Sequence, residues 1–130
     1  MLPNINCVVD SYNLVSTRSM LSIGAHDLGK IKGNLCLKFA DGTEHYLPLG
    51  SKMPQKVNPG EYACMDEEKV ICWLDIKQCD ETKITKDTSS YIIYIQGNRF
   101  TSDEYLIANL DEIILLQTSL FGAKHVTTIG

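Results

Sequence analysis

Arginine is almost missing from this chain: Arg18 and Arg99 are the only two in 130 residues. The formal net charge is −4 and the sequence pI is about 5.3. Nucleic-acid binders that work alone are usually basic, because phosphate contacts dominate their affinity. A DNA duplex is therefore not expected as a partner. No apolar run approaches the roughly 20 residues that cross a bilayer, so no membrane partner is expected. No charged stretch leading into an apolar core opens the chain, which argues against a secretory signal and for a cytoplasmic location. Cysteine pairs with CxxC spacing are also missing. The five cysteines, Cys7, Cys36, Cys64, Cys72 and Cys79, are odd in number and scattered. They read as reduced thiols acting as small hydrophobes. Neither a metal site nor a cofactor is expected. The chain has no glycine-rich phosphate loop, no nucleophile elbow and no internal repeat.

What remains is ordinary globular composition, with 44% hydrophobic and 22% charged residues. That amount of chain fits one domain over residues 1–130. Charge is unevenly spread. Residues 1–60 hold six basic and four acidic side chains, and residues 61–112 hold five basic and twelve acidic ones. An anionic partner should approach the first half.

Asn6 is suited to cap a helix beginning at Cys7, with Val8, Val9, Tyr12, Val15 and Leu21 on one stripe. Gly24 breaks that pattern, and Asp27 suits the start of a short turn through Lys30. Asn34 to Ala40 reads as a strand. Asp41-Gly42 signals a hairpin, with Glu44 to Leu47 as the return strand. Residues 48–60 hold three of the four prolines and read as a loop. Glu61 to Met65 and Lys69 to Leu74 read as a second hairpin around Asp66-Glu67-Glu68. Residues 75–90 are polar and irregular, and Tyr91 to Ile95 reads as a buried strand. Thr101 with Glu104 suggests a capping box. The helix it opens carries Tyr105, Leu106, Leu110, Ile113, Ile114, Leu116, Leu120 and Phe121 and ends at Gly122. Lys124 to Ile129 suggests a short strand. The fold class is α+β: layered, sandwich-like sheets built mostly from antiparallel hairpins, with flanking helices and a long C-terminal helix.

Three segments carry a family resemblance. Pro3-Asn-Ile-Asn-Cys-Val-Val-Asp-Ser-Tyr-Asn-Leu-Val is followed by Ile23-Gly-Ala-His-Asp-Leu-Gly-Lys-Ile, and later comes Asp80-Glu-Thr-Lys-Ile-Thr-Lys-Asp-Thr. This pattern resembles the B3/B4, or tRNA-editing, domain of the phenylalanyl-tRNA synthetase beta subunit and its free-standing relatives. The matching segments span residues 3–97. In the synthetase this domain hydrolyses tRNA mischarged with tyrosine. The resemblance implies a pocket for a tRNA end or aminoacyl ligand. Family members carry residues before the Pro-Ile-Asn-Asn segment, so part of the family's N-terminal portion is expected to be missing or replaced.

Carried over residue by residue, the resemblance implies a ligand pocket at Tyr12, Asn13, Gly24, His26, Asp27, Thr85 and Tyr94. It also implies altered chemistry. The family's hydroxyl residue falls on Tyr12, its loop histidine on Gly24 and its later glutamate near Tyr94. His26 is the weak catalytic candidate that remains, as a general base or water-holder; packing in place of an aromatic ring is the plainer role. Asp10 reads as a locally satisfied helix carboxylate. Thr82, Thr85 and Thr88 suggest either a phosphate cradle with Lys83 and Lys86 or a turn with hydroxyl-to-backbone bonds. Arg18, Lys30, Lys32 and Lys38 are the RNA-facing candidates. Three functions follow: a tRNA- or aminoacyl-binding module, a trans-editing hydrolase, or an acidic protein-interaction domain. Self-association into a homo-oligomer is left open.

Overall fold

The computed structural model describes residues 5–74 and 77–124. Helix α1 (Ile5–Ser19) leads into strand β1 (Ser22–Asp27) and a single 3-10 turn, Leu28–Lys30. Strands β2 (Cys36–Phe39), β3 (Tyr62–Met65), β4 (Val70–Trp73) and β5 (Lys77–Gln78) follow, then β6 (Tyr91–Gln96) and helix α2 (Asp103–Phe121). The described residues form two antiparallel sheets, β1-β6 and β2-β3-β4-β5. This is the expected α+β arrangement of layered sheets with a long C-terminal helix.

Each sheet has its own core. The first cluster gathers Tyr46, Val57, Ala63, Met65, Val70, Ile71 and Trp73 against the four-stranded sheet. The second joins the helices to the β1-β6 ribbon through Tyr12, Val15, Ala25, Ile84 and Ile113, with Ile23, Tyr91, Ile93 and Ile95 packed on it. Strand periodicity explains the second: Ile23 and Ala25 face the helices, while Gly24 and His26 face away. Helix α1 is tied to α2 by an ion pair between Arg18 and Glu112. Gln117 also donates to Ser11 Oγ at 2.6 Å, and the Tyr105 hydroxyl donates to the Ser19 carbonyl at 2.9 Å.

Several local expectations change. Glu44 to Leu47 is not a strand. The Glu44 carboxylate accepts from the Asp41 and Gly42 N–H groups, and Asp41 Oδ1 accepts from the Thr43 N–H. These local bonds close a turn instead of a ladder, and β2 pairs with β3. Tyr46 turns into the core, 2% exposed. Gly24, expected to break the helical pattern, lies within strand β1, and Asp27 caps the short turn through Lys30 as expected. Helix α1 begins at Ile5, so Asn6 lies within it. Helix α2 is capped by Ser102, whose hydroxyl accepts from the Tyr105 N–H; Thr101 Oγ1 instead accepts from Asn98 N–H in the preceding turn. The expected strand Lys124 to Ile129 lies, beyond Lys124, outside the described residues.

The turn between β3 and β4 contains a buried ion pair. Lys69 Nζ stands 2.6 Å from Asp66 Oδ2 and also donates to the Lys30 carbonyl. Burial alone raises the Asp66 pKa, but the Lys69 ammonium and the N–H groups of Lys32, Glu68 and Lys69 outweigh it. The carboxyl is held below its usual range, and the 30–32 segment is pinned to the hairpin.

The wide apolar stripe of α2 is only partly covered. Ile113 is 2% exposed, Leu110 is intermediate, and Leu115 is 62% exposed. Ile113→Ala should therefore cost about 2–5 kcal/mol, and Leu115→Ala within about 0.5 kcal/mol. Urea midpoints of the two variants test this, and equal losses would place the helix face wrongly.

Candidate functional site

The first two motif segments meet at one open cleft of about 580 Å³ between α1 and β1. Helix α1 supplies Val9, Tyr12, Asn13 and Ser16, and the chain leaving it supplies Met20, Leu21, Ser22 and Ile23. Gln78 of the two-residue strand β5 completes the wall. The volume falls within the usual range for small-ligand sites. Tyr12 lies mostly inside the second core, and burial pushes its phenol above its ordinary value. Asn13 is exposed, one residue further along the helix. Tyr12 and Asn13 are thus the expected pocket residues found on the cleft.

Gly24 and Tyr94 are the next layer. They sit directly opposite one another in the β1-β6 ladder. A Cβ at position 24 would lie 2.6 Å from the Tyr94 hydroxyl oxygen and 2.7 Å from Gln78 Nε2. Any larger side chain at 24 would have to displace the end of the tyrosine ring and the glutamine amide. Neither a histidine at 24 nor a carboxylate at 94 is present here. The Tyr94 ring stacks parallel to His26, with centroids 5.6 Å apart and planes 6° apart.

His26 is 1% exposed and lines no part of the cleft. Its Nδ1 is 2.7 Å from Thr82 Oγ1, which in turn lies 3.0 Å from Cys79 Sγ. Its Nε2 is buried with no hydrogen-bond partner among the described residues. Burial lowers its pKa to about 4, so the imidazole is neutral near pH 7. Asp27 is also buried. Its carboxylate accepts from the Gly29 N–H at 2.9 Å and from the Thr88 hydroxyl at 2.7 Å. The threonine run divides accordingly. Thr82 and Thr88 point their hydroxyls inward at His26 and Asp27, while Thr85 N–H donates to Thr88 Oγ1 within a turn. The described hydroxyls brace the site from behind.

The basic candidates do not form one free patch. Arg18 is held by Glu112, and Lys30 lies 3.8 Å from Asp27. Lys32 donates its N–H to Asp66, and Asn34 beside it donates to Glu67, so acidic groups flank that segment. Lys38 is exposed on β2. Asp10 is exposed on α1. Ser16, Met20, Ser22 and Gln78 line the cleft without having been singled out in the sequence. Only the tertiary approach of β5 to β1 brings Gln78 there, and no local pattern signals it. No group of three or more metal-ligating side chains is found among the described residues, and none of their helices is long and apolar enough to cross a membrane.

Two outcomes follow from this layer. Gly24→Ala should cost about 1–3 kcal/mol through overpacking, and much less in a Tyr94→Ala background. A double-mutant cycle checks this, and additive losses would show that the ring is not the obstacle. His26 should make stability pH-dependent. Its folded pKa is depressed, so the unfolded chain binds a proton first as pH falls from about 6.5 toward 4. Stability is then complete above about pH 6.5 and falls through that window by on the order of 3 kcal/mol. His26→Asn should flatten the slope in stability curves measured at pH 7, 6, 5 and 4.

The profile of the B3/4 domain family matches residues 1–105. The phenylalanine–tRNA ligase beta subunit of Mycoplasma pneumoniae is 31% identical over 86 residues, covering 66% of this chain and 11% of that protein. The beta subunit of Mycoplasma genitalium is 30% identical over 114 residues, covering 84% of this chain and 14% of the other. The chain thus spans at most 14% of the length of these relatives. An N-terminal fragment of the phenylalanyl-tRNA synthetase beta subunit from Pyrococcus horikoshii has the same fold. Its TM-score is 0.72 at 18% identity, covering 85% of this chain and 39% of that one.

Proposed function

Because the chain belongs to the B3/4 domain family, we propose that it is a binding module for the aminoacylated end of a tRNA, held in the cleft beside α1. One observation carries the reading: Tyr12 and Asn13 from the first motif segment and Ile23 from the second line the same cleft. The relatives that match the chain are tRNA ligase subunits. Amide and hydroxyl groups from Asn13, Ser16, Ser22 and Gln78 suit the ester and ribose. Val9, Leu21 and Ile23 suit an apolar side chain.

Binding without efficient hydrolysis is the expected activity. Gly24 has no side chain with which to position a water, and position 94 carries a tyrosine ring where the family pattern has a carboxylate. His26 has one ring nitrogen committed to Thr82 and the other buried. Losing a positioned acid or base typically removes about 10²–10⁴-fold in rate. In a deacylation assay, tyrosine-charged phenylalanine tRNA should lose its amino acid at nearly the same rate with or without the protein. Rapid deacylation abolished by His26→Ala would make the chain a hydrolase.

RNA affinity should be weak, since the chain is acidic overall, with a formal net charge of −4. A gel shift with charged and uncharged tRNA should favour the charged form. Affinity should also fall with salt on a log–log slope of about −2 to −3, the mark of a few phosphate contacts. Equal affinity at 50 and 300 mM salt, or no change on Lys38→Glu, would remove the basic candidates from the interface. Absence of any tRNA binding would favour a protein partner.

A further inference from the structure

Helix α1 ends at Ser19, and the next residue, Met20, has φ 62. Its N–H donates to the Ser16 carbonyl at 2.9 Å. This is the left-handed position that follows many helices, where glycine is favoured because a Cβ is strained there. Helix α2 follows the rule with Gly122 at φ 70. Met20 does not, and its side chain is 88% exposed. The fold therefore carries both a strained backbone and an uncovered apolar arm at one residue. Leu74 is the other described non-glycine residue with positive φ, and it is only 37% exposed.

Strain of this kind persists where the surrounding structure holds it in place, and it clusters at ligand sites. Met20 lines the candidate cleft. The turn that carries it is fixed: Ser16 Oγ donates to the Leu21 carbonyl at 2.6 Å, and the Leu21 N–H donates to Ser19 Oγ at 3.2 Å. The arm itself is unbranched and soft, able to fold over differently shaped apolar groups.

We propose that Met20 determines the specificity of the cleft, closing over the side chain of a bound aminoacyl group and selecting large apolar side chains over small polar ones. This rests on the reading of the cleft as an aminoacyl-end site. The ligand supplies the apolar surface that the folded chain does not, so the thioether is buried only in the complex.

The test uses two amide-linked, non-hydrolysable probes, 3′-leucylamino- and 3′-serylamino-3′-deoxyadenosine, with the full chain. The wild type should bind the leucyl probe more tightly. Met20→Gly should weaken leucyl binding about tenfold, the scale of one buried apolar arm, and leave seryl binding unchanged. The same variant should melt a few degrees higher, because the strain is relieved. Met20→Leu should keep the preference. Leucyl binding unaffected by Met20→Gly overturns the proposal while leaving the cleft assignment intact. A wild type that binds neither probe overturns both. A Met20→Gly variant that differs only in self-association, read by sedimentation, assigns Met20 to a contact between copies and also overturns the proposal.

Discussion

The pairing of β1 with β6 is the constraint on which the rest of this molecule depends. Six residues just after the first helix meet six residues just before the last, from Ser22 against Gln96 to Asp27 against Tyr91. One face of the ribbon gives Ile23, Ala25, Tyr91, Ile93 and Ile95 to the helical core. The other gives Gly24, His26 and Tyr94 to the space beside β5. A slip of one residue in this register would exchange the faces, placing isoleucines against Gln78 and a histidine in the helical core. The two helices are thereby brought side by side, because each is joined closely to one of the paired strands.

The ribbon's second face explains why the site differs chemically from what the family pattern implies. Tyr94 fills the volume that Gly24 vacates and stacks on His26. The imidazole is then enclosed, with Thr82 as its partner and Cys79 behind that hydroxyl. An enclosed neutral imidazole is a packing group with a cost. Its Nε2 is buried without a partner among the described residues, and such an unpaired group typically costs about 1–3 kcal/mol. The cleft beside it is lined by the amides of Asn13 and Gln78 and the hydroxyls of Ser16 and Ser22.

Electrostatics limits the partners in a similar way. The chain's positive half is partly neutralised at short range: Glu112 holds Arg18, and Asp27 lies near Lys30. The exposed pairs add little stability. Their effect is to lower the field that a phosphate backbone would meet.

Much of the molecule was legible in local sequence. Helix α2 showed itself by its apolar spacing and Gly122. The β3-β4 hairpin did so by its flanking apolar runs around Asp66-Glu67-Glu68, and the family by segments that local order keeps intact. Helix periods, turn residues and motif spacing act over a few residues, so the chain order contains them. Tertiary structure decided the remainder. Ser22-Ile-Gly-Ala-His-Asp becomes a strand because Tyr91 to Gln96 is its partner, not because of its propensity. Glu44 to Leu47 loses its expected ladder to local side-chain bonds at Asp41 and Gly42, and to the burial of Tyr46. Gln78 reaches the cleft and His26 leaves it through contacts between segments far apart in sequence. Those contacts depend on how the two sheets approach one another, and no short stretch of the chain encodes that packing by itself.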